Sequence, residues 1–298
     1  MKKLILILTL ILPFLAEAKL QIATTTTDLT AIVKAVGADR VDVFSIAKGS
    51  EDPHSVSAKP SFMVKLRSTD LVIAQGLELE SAWIQPLIQG SRNLKLQSRD
   101  GLFEIAAELD PIEIPKGNVS RAEGDVHPGG NPHFQLDPFR LGKAAILIAD
   151  KLSKFSPGDK EFFDKNAQVF QKNMKDQLKI WEERLKKTGI KEVVTYHKTF
   201  SYFCERFEIK CEVQLEPKPG IPPTASHLIS VIDQMKKRNI NLVLIENLYE
   251  DDVGQKIKVS IPNAVILRLP VAVDGESNLS SNSALIERIV SAIEKGAR

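Results

Sequence analysis

Residues 159–189 read DKEFFDKNAQVFQKNMKDQLKIWEERLKKTG, and Phe162, Phe163, Ala167, Phe170, Met174, Leu178, Trp181 and Leu185 return at three- and four-residue spacing. That period lays them along one face of a helix. A helix from about Asp159 to Lys187 is unusually long against a mean of about 11–12 residues. Its predicted task is to run from one domain to the next, and a single rod of this kind permits only small rocking. Ser156-Pro157-Gly158-Asp159 separates it from an earlier helix whose apolar face is Leu141, Ala144, Ala145, Ile148 and Leu152.

On either side of the rod the same alternation appears. Before it, Leu20 to Thr25 reads as a strand, and Asp28 is placed to cap a helix running toward Gly37. Val41 to Ile46 is a second strand, entering the loop Gly49 to Ser55, and Asp70 to Gln75 is an apolar run typical of a buried parallel strand. Trp83 follows in the loop after that strand, placed either to line the mouth of a cleft or, the favoured reading, to pack half-buried. After the rod come strands at Glu192–Tyr196, Lys210–Val213, Leu242–Ile245 and Ala264–Leu269, with a helix capped by Ser226 and a closing helix from Ala284 to Lys295. Alternating β and α units predict parallel sheets flanked by helices. The fold class expected is therefore α/β, two parallel-sheet domains joined by one long rigid helix. The boundaries are residues 1–18 as a signal peptide, 19–156 as the first domain, 157–188 as the linking helix and 189–298 as the second domain.

The signal-peptide reading rests on Met1-Lys2-Lys3, an apolar run from Leu4 to Leu15 and the small-x-small site Ala16-Glu17-Ala18. The run is shorter than the roughly 20 residues that span a bilayer, and no cysteine follows the cleavage site to take a lipid. A soluble, exported, periplasmic monomer is expected. The 298 residues carry a net charge of +2 with lysines and arginines interspersed among acids, which gives no nucleic-acid footprint. The two cysteines, Cys204 and Cys211, would pair in an oxidising compartment, against the alternative of two small buried thiols.

Two of the five histidines lie in Asp125-Val126-His127-Pro128-Gly129-Gly130-Asn131-Pro132-His133-Phe134-Gln135-Leu136-Asp137-Pro138. Each proline fixes its own φ and extends the residue before it, so the imidazoles are presented on a stiffened loop. Neutral imidazole suits a borderline-soft cation such as zinc. His54 follows a strand, and His197 and Glu246 stand at strand carboxyl ends, where open parallel sheets bind ligands. Two domains facing each other would bring His54, His133, His197 and Glu246 into one interdomain cleft. His127 is expected outside the ligand set, as an auxiliary group, and His227 near a helix start as a surface or capping residue. No position is reserved for a catalytic residue. A secreted zinc-dependent hydrolase, the alternative, would need an open coordination site and a base, and the chain lacks His-Glu-x-x-His.

The run Gly124 to His133, with Asp52-Pro53-His54, Gly76-Leu77-Glu78-Leu79-Glu80 and Thr195-Tyr196-His197-Lys198-Thr199-Phe200-Ser201-Tyr202-Phe203, resembles the zinc/manganese solute-binding proteins of ABC transporters, the TroA-like group. The resemblance covers nearly all of the mature chain. It implies two α/β domains joined by a long helix, metal ligands at His54, His133 and His197, and a membrane permease as partner. Two departures stand out. Where many members place an aspartate after the final strand this chain has Leu269-Pro270-Val271, so the fourth ligand stays open among Glu246, Asp274 and water. The segment Lys116 to Glu123 is short and has no histidine, unlike the histidine-rich loop of many zinc members. A histidine at the third position, where manganese receptors of the group tend to carry a carboxylate, favours Zn2+ over Mn2+ as the transported ion.

Overall fold

The computed structural model describes residues 18–117, 119 and 124–297. The signal-peptide stretch from Met1 to Glu17, and residues 118 and 120–123 of the loop ahead of His127, lie outside the described residues. Among the described residues no helix is long and apolar enough to cross a membrane.

The first lobe runs β1 (Leu20–Thr24), α1 (Thr27–Gly37), β2 (Val41–Ser45), α2 (Pro60–Leu66), β3 (Leu71–Ala74), α3 (Ile84–Ser91) and β4 (Leu102–Glu104). Its four strands lie in the order β2-β1-β3-β4, all parallel. Two antiparallel-packed helices follow, α4 (Pro138–Phe155) and α5 (Lys160–Thr188). The second lobe runs β5 (Glu192–Thr195), α6 (Ser201–Arg206), β6 (Lys210–Gln214), α7 (Ala225–Arg238), β7 (Leu242–Glu246), α8 (Asp252–Ser260), β8 (Val265–Leu269) and α9 (Asn282–Gly296). Its order, β6-β5-β7-β8, repeats that of the first lobe and is again parallel. In both sheets the order reverses beside the first strand, which opens a crevice at the carboxyl ends where ligands can enter.

The rod expected from the sequence is α5, 29 residues long and closed by Gly189 in the left-handed conformation at φ 74°. Its two halves belong to different cores. Phe163, Ala167 and Met174 are buried with Ile22, Leu29, Ile73, Leu141 and Ile148, whereas Leu178, Trp181 and Leu185 are buried with Val193, Phe203, Leu244 and Ile289. One continuous backbone therefore anchors in both lobes.

Several local expectations are corrected. The cap of α1 is Thr26, whose hydroxyl accepts from the Leu29 N–H, and not Asp28. Asp28 is buried in the first turn and reaches across the molecule instead, accepting from the Val273 N–H at 3.1 Å. Likewise Thr224, not Ser226, caps α7. Trp83 is 2% exposed, not half-buried, and its indole N–H holds the Pro53 carbonyl at 2.9 Å. The short elements α3, β4 and α8 were not expected. Cys204 and Cys211 are joined as a disulfide between α6 and β6.

Two seams tie the lobes together. In the first, Thr27 Oγ1 donates to the Val273 carbonyl, beside the Asp28 bond. In the second, the fully buried Asp137 caps α4 through the Phe139 N–H and accepts from both Arg140 and Arg206. Arg140 also binds Glu205 in α6, and the Tyr202 hydroxyl donates to the Asn131 carbonyl.

Candidate metal centre

Every strand that faces the crevice contributes to its wall. The turn after β1 supplies Thr26 and Thr27, the loop after β2 supplies His54, and the stretch before α4 supplies His133. From the second lobe come His197 after β5, Glu216 after β6, Glu246 at the end of β7 and Val271 after β8. Together they enclose a cavity of about 180 Å3.

On its wall three imidazoles converge. One ring nitrogen from each of His54, His133 and His197 lies within 4.8 Å of the other two. Their ring centres are 5.2 Å apart for His54 and His133, 5.5 Å for His54 and His197, and 5.2 Å for His133 and His197. An imidazole nitrogen bound at about 2.1 Å sets its ring centre about 3.2 Å from an ion, so tetrahedral neighbours are separated by about 5.2 Å. The spacing fits one ion shared by the three rings. The Nε2 atoms of His133 and His197 face each other at 3.3 Å.

Local bonds hold each ring. His54 rides on a loop whose Pro53 carbonyl is gripped by Trp83, and its own N–H donates to Asp52 Oδ1 at 2.9 Å. Asn131 Oδ1 accepts the His133 N–H at 2.8 Å, while the Asn131 amide donates to the Lys198 carbonyl beside His197. His197 Nδ1 lies 2.6 Å from Glu216 Oε2, which also accepts the Gly220 N–H at 3.0 Å. Gly220 must be glycine, because its φ is +73° and a Cβ there would collide with the Asp125 carboxylate.

Burial sets the electrostatics. It holds His133 well below the ordinary 6.5, with the neighbouring rings adding to the effect, and it lowers His54 as well. Burial also works against charge on His197, but the Glu216 carboxylate outweighs it and the net shift is upward. Glu246 is 1% exposed, and burial pushes its carboxyl up to about 7. Neither of its oxygens makes a hydrogen bond of ordinary geometry among the described residues, although Thr199 stands beside them.

Of the residues singled out from the sequence, His54, His133 and His197 come together, and Glu246 shares their cavity without joining the 4.8 Å group. Asp274 is exposed, sits at φ +60° and lies outside the cavity wall. His227 is in the first turn of α7, with its ring on the Gln214 carbonyl. Glu216 was missed as the partner of His197. Its place two residues beyond a strand, matching that of His197, was the signal available.

A family model described as ZnuA, zinc-uptake complex component A, periplasmic, matches residues 22–295. The zinc-binding lipoprotein AdcA of Streptococcus pneumoniae (strain ATCC BAA-255 / R6) is 24% identical over 288 residues, 95% of this chain and 55% of AdcA. The chain thus spans about half the length of that relative. The manganese ABC transporter substrate-binding lipoprotein PsaA of Streptococcus pneumoniae serotype 4 is 23% identical over 238 residues, 78% of this chain and 74% of PsaA. Among solved structures, a crystal structure of ZnuA shares the fold with a TM-score of 0.80 at 20% identity, covering 94% of this chain and 100% of that one. The hydrolase reading finds no support in these relatives. With the family model spanning both lobes and the rod between them, the chain belongs to the ZnuA family of periplasmic zinc-uptake components.

Proposed function

We propose that this protein is a periplasmic receptor that captures one divalent cation, zinc in preference to manganese, and hands it to the membrane permease of an ABC transporter. The observation that carries the reading is the convergence of His54, His133 and His197 at the spacing of a tetrahedral ion, inside a cleft between lobes. Three imidazoles suit zinc better than manganese, which prefers oxygen donors. Two buried carboxylates balance the incoming charge, Glu216 through His197 and Glu246 from the cavity wall. A dication entering the cleft favours the ionised form of Glu246, which burial otherwise disfavours. Membership of a zinc-uptake family supports a transport receptor over an enzyme. We further infer a cleavable signal peptide ending at Ala18 and a monomeric mature chain, with domain limits at residues 156 and 189.

The test is metal titration of chelator-stripped protein, with zinc and manganese in competition. The expected result is about one zinc per chain, held against excess manganese and lost in His133→Ala but not in His227→Ala. Manganese binding as tight as zinc would remove the zinc assignment, and no stoichiometric metal at all would remove the receptor reading.

A further inference from the structure

His127 stands beside the three converging rings, and its surroundings aim it at them. Its ring centre is 5.3 Å from that of His54 and 6.4 Å from that of His133, both in edge-to-face orientation. The first distance is the tetrahedral spacing already found among the three donors, and the second exceeds it by about an ångström. The Leu77 backbone carbonyl hydrogen-bonds the His127 ring, while Nε2 is buried and has no hydrogen-bond partner among the described residues. Both ring nitrogens of His54 are in the same condition. Buried polar atoms are normally paired, so a cluster of unpaired imidazole nitrogens marks a place for something that binds nitrogen.

The Leu77 carbonyl is held there at a conformational cost. Gly76, Leu77 and Glu78 take φ of +87°, +54° and +68° in succession. Left-handed backbone at two consecutive non-glycine residues persists only where the surroundings enforce it, and such strain gathers at functional sites. Here Glu80 enforces it, buried and accepting from the Gln75 and Gly76 N–H groups. The strained turn fixes one nitrogen of His127 and thereby orients the other, as a hydrogen-bonded carbonyl does for a metal-binding histidine. His127 also lines a small recess together with His133 and His197, on a wall that Glu246 does not reach.

We propose that His127 supplies the fourth donor to the captured ion, completing an all-nitrogen site with His54, His133 and His197, and that Glu246 acts from outside the coordination sphere. This rests on the receptor reading above. His127 stands outside the group of mutually close ring nitrogens formed by His54, His133 and His197, so its joining the ion requires the ring to swing inward as the ion binds.

X-ray absorption at the zinc edge of the loaded protein counts imidazoles directly and is the deciding measurement. Four are expected in the unaltered chain. Three plus an oxygen donor are expected in His127→Ala and in His127→Gln, which keeps a hydrogen-bond donor for the Leu77 carbonyl. Both variants should retain one zinc per chain with affinity lowered at least about tenfold, since even outer-sphere changes cost that much, and melting of the stripped proteins should be unchanged for His127→Gln. Glu246→Gln should keep four imidazoles. Zinc held by three imidazoles in the unaltered chain, with the same spectrum in His127→Gln, would overturn the assignment and leave the receptor intact. An oxygen donor that disappears in Glu246→Gln would put Glu246 in the fourth place instead. Absence of bound zinc from the unaltered chain would take down the receptor reading and this one with it.

Discussion

Glu216 receives two donors on one oxygen, the His197 imidazole at 2.6 Å and the Gly220 N–H at 3.0 Å. A carboxylate on Nδ1 fixes the tautomer and leaves Nε2 to the cluster with raised basicity. Glu216→Gln keeps the shape and removes the charge, so zinc affinity should fall by about 10–100-fold without unfolding the chain; titration that returns the unaltered constant would deprive Glu216 of this role. Protons compete with the ion at the same nitrogens. His54 and His133 have folded values below 6.5, so the unfolded chain takes up their protons first and they weaken the fold as pH drops below 6.5. His197 is raised, so its contribution is present below 6.5 and is lost as pH rises through its folded value. Asp28, Glu80 and Glu246, each pushed by burial up to about 7, oppose the first pair, because the folded chain takes their protons first and is strengthened as pH falls from 7. Metal-free stability therefore carries opposing contributions between pH 7 and pH 5, while the rise in Tm on adding zinc, large at pH 8, should shrink steeply by pH 5. A zinc-induced rise that is constant across that range would show that imidazoles do not hold the ion. The three converging histidines were legible because each abuts a proline or a strand end. Glu216 and Trp83 were not, since their roles come from partners 19 and 30 residues away in sequence.

At the scale of elements, α5 does two jobs with one periodic face. Its first half is buried in one core and its second half in the other, so truncation at either end acts on a different lobe. Phe163→Ala and Trp181→Ala should each cost about 3–5 kcal/mol, and calorimetry should find the loss for either variant spread over a single transition if the rod couples the lobes. Two separated transitions would show that it does not. The Cys204–Cys211 bond closes a short ring between α6 and β6, next to the Arg206 seam. Chain-entropy arguments give a ring of this size about 2–3 kcal/mol, so replacing both cysteines by serine should lower Tm while leaving zinc stoichiometry at one; an unchanged Tm would mean that the ring constrains nothing. Long or strongly apolar elements were readable from the sequence, as α5, β3 and β7 were. The three-residue β4 and the short helices α3 and α8 carry too few periodic positions to register. Where two side chains could cap, as at Thr26 and Asp28, tertiary demand decided: the Val273 N–H in the other lobe claimed the carboxylate.

For the whole molecule, the two-lobed plan followed from the length of one helix, but the angle between the lobes did not, because it is set by contacts between distant residues. Thr27 and Asp28 meet Val273 across about 245 positions, and Asp137 meets Arg206 across 69. The first seam adjoins the cavity, whose wall includes Thr27 and Asp28. Opening the lobes widely would strip Asp137, which is fully buried, of one of its two guanidinium partners, a cost because the buried carboxylate loses part of its compensation. Capture by a wide hinge closure would have to overcome that cost at each cycle; capture by small adjustments of the His54 and His127 loops would not. The radius of gyration from small-angle scattering should accordingly agree between stripped and zinc-loaded protein within about 1 Å, as for other preorganised partners. Arg206→Ala, which removes one tie of the seam while Arg140 still pairs with Asp137 and Glu205, should raise hydrogen exchange through residues 131–137 and speed zinc release without altering which residues bind the ion. A stripped protein several ångströms wider than the loaded one, or an Arg206→Ala variant that releases zinc at the unaltered rate, would replace the rigid picture with a hinged one in which the seams form only after the ion has bound.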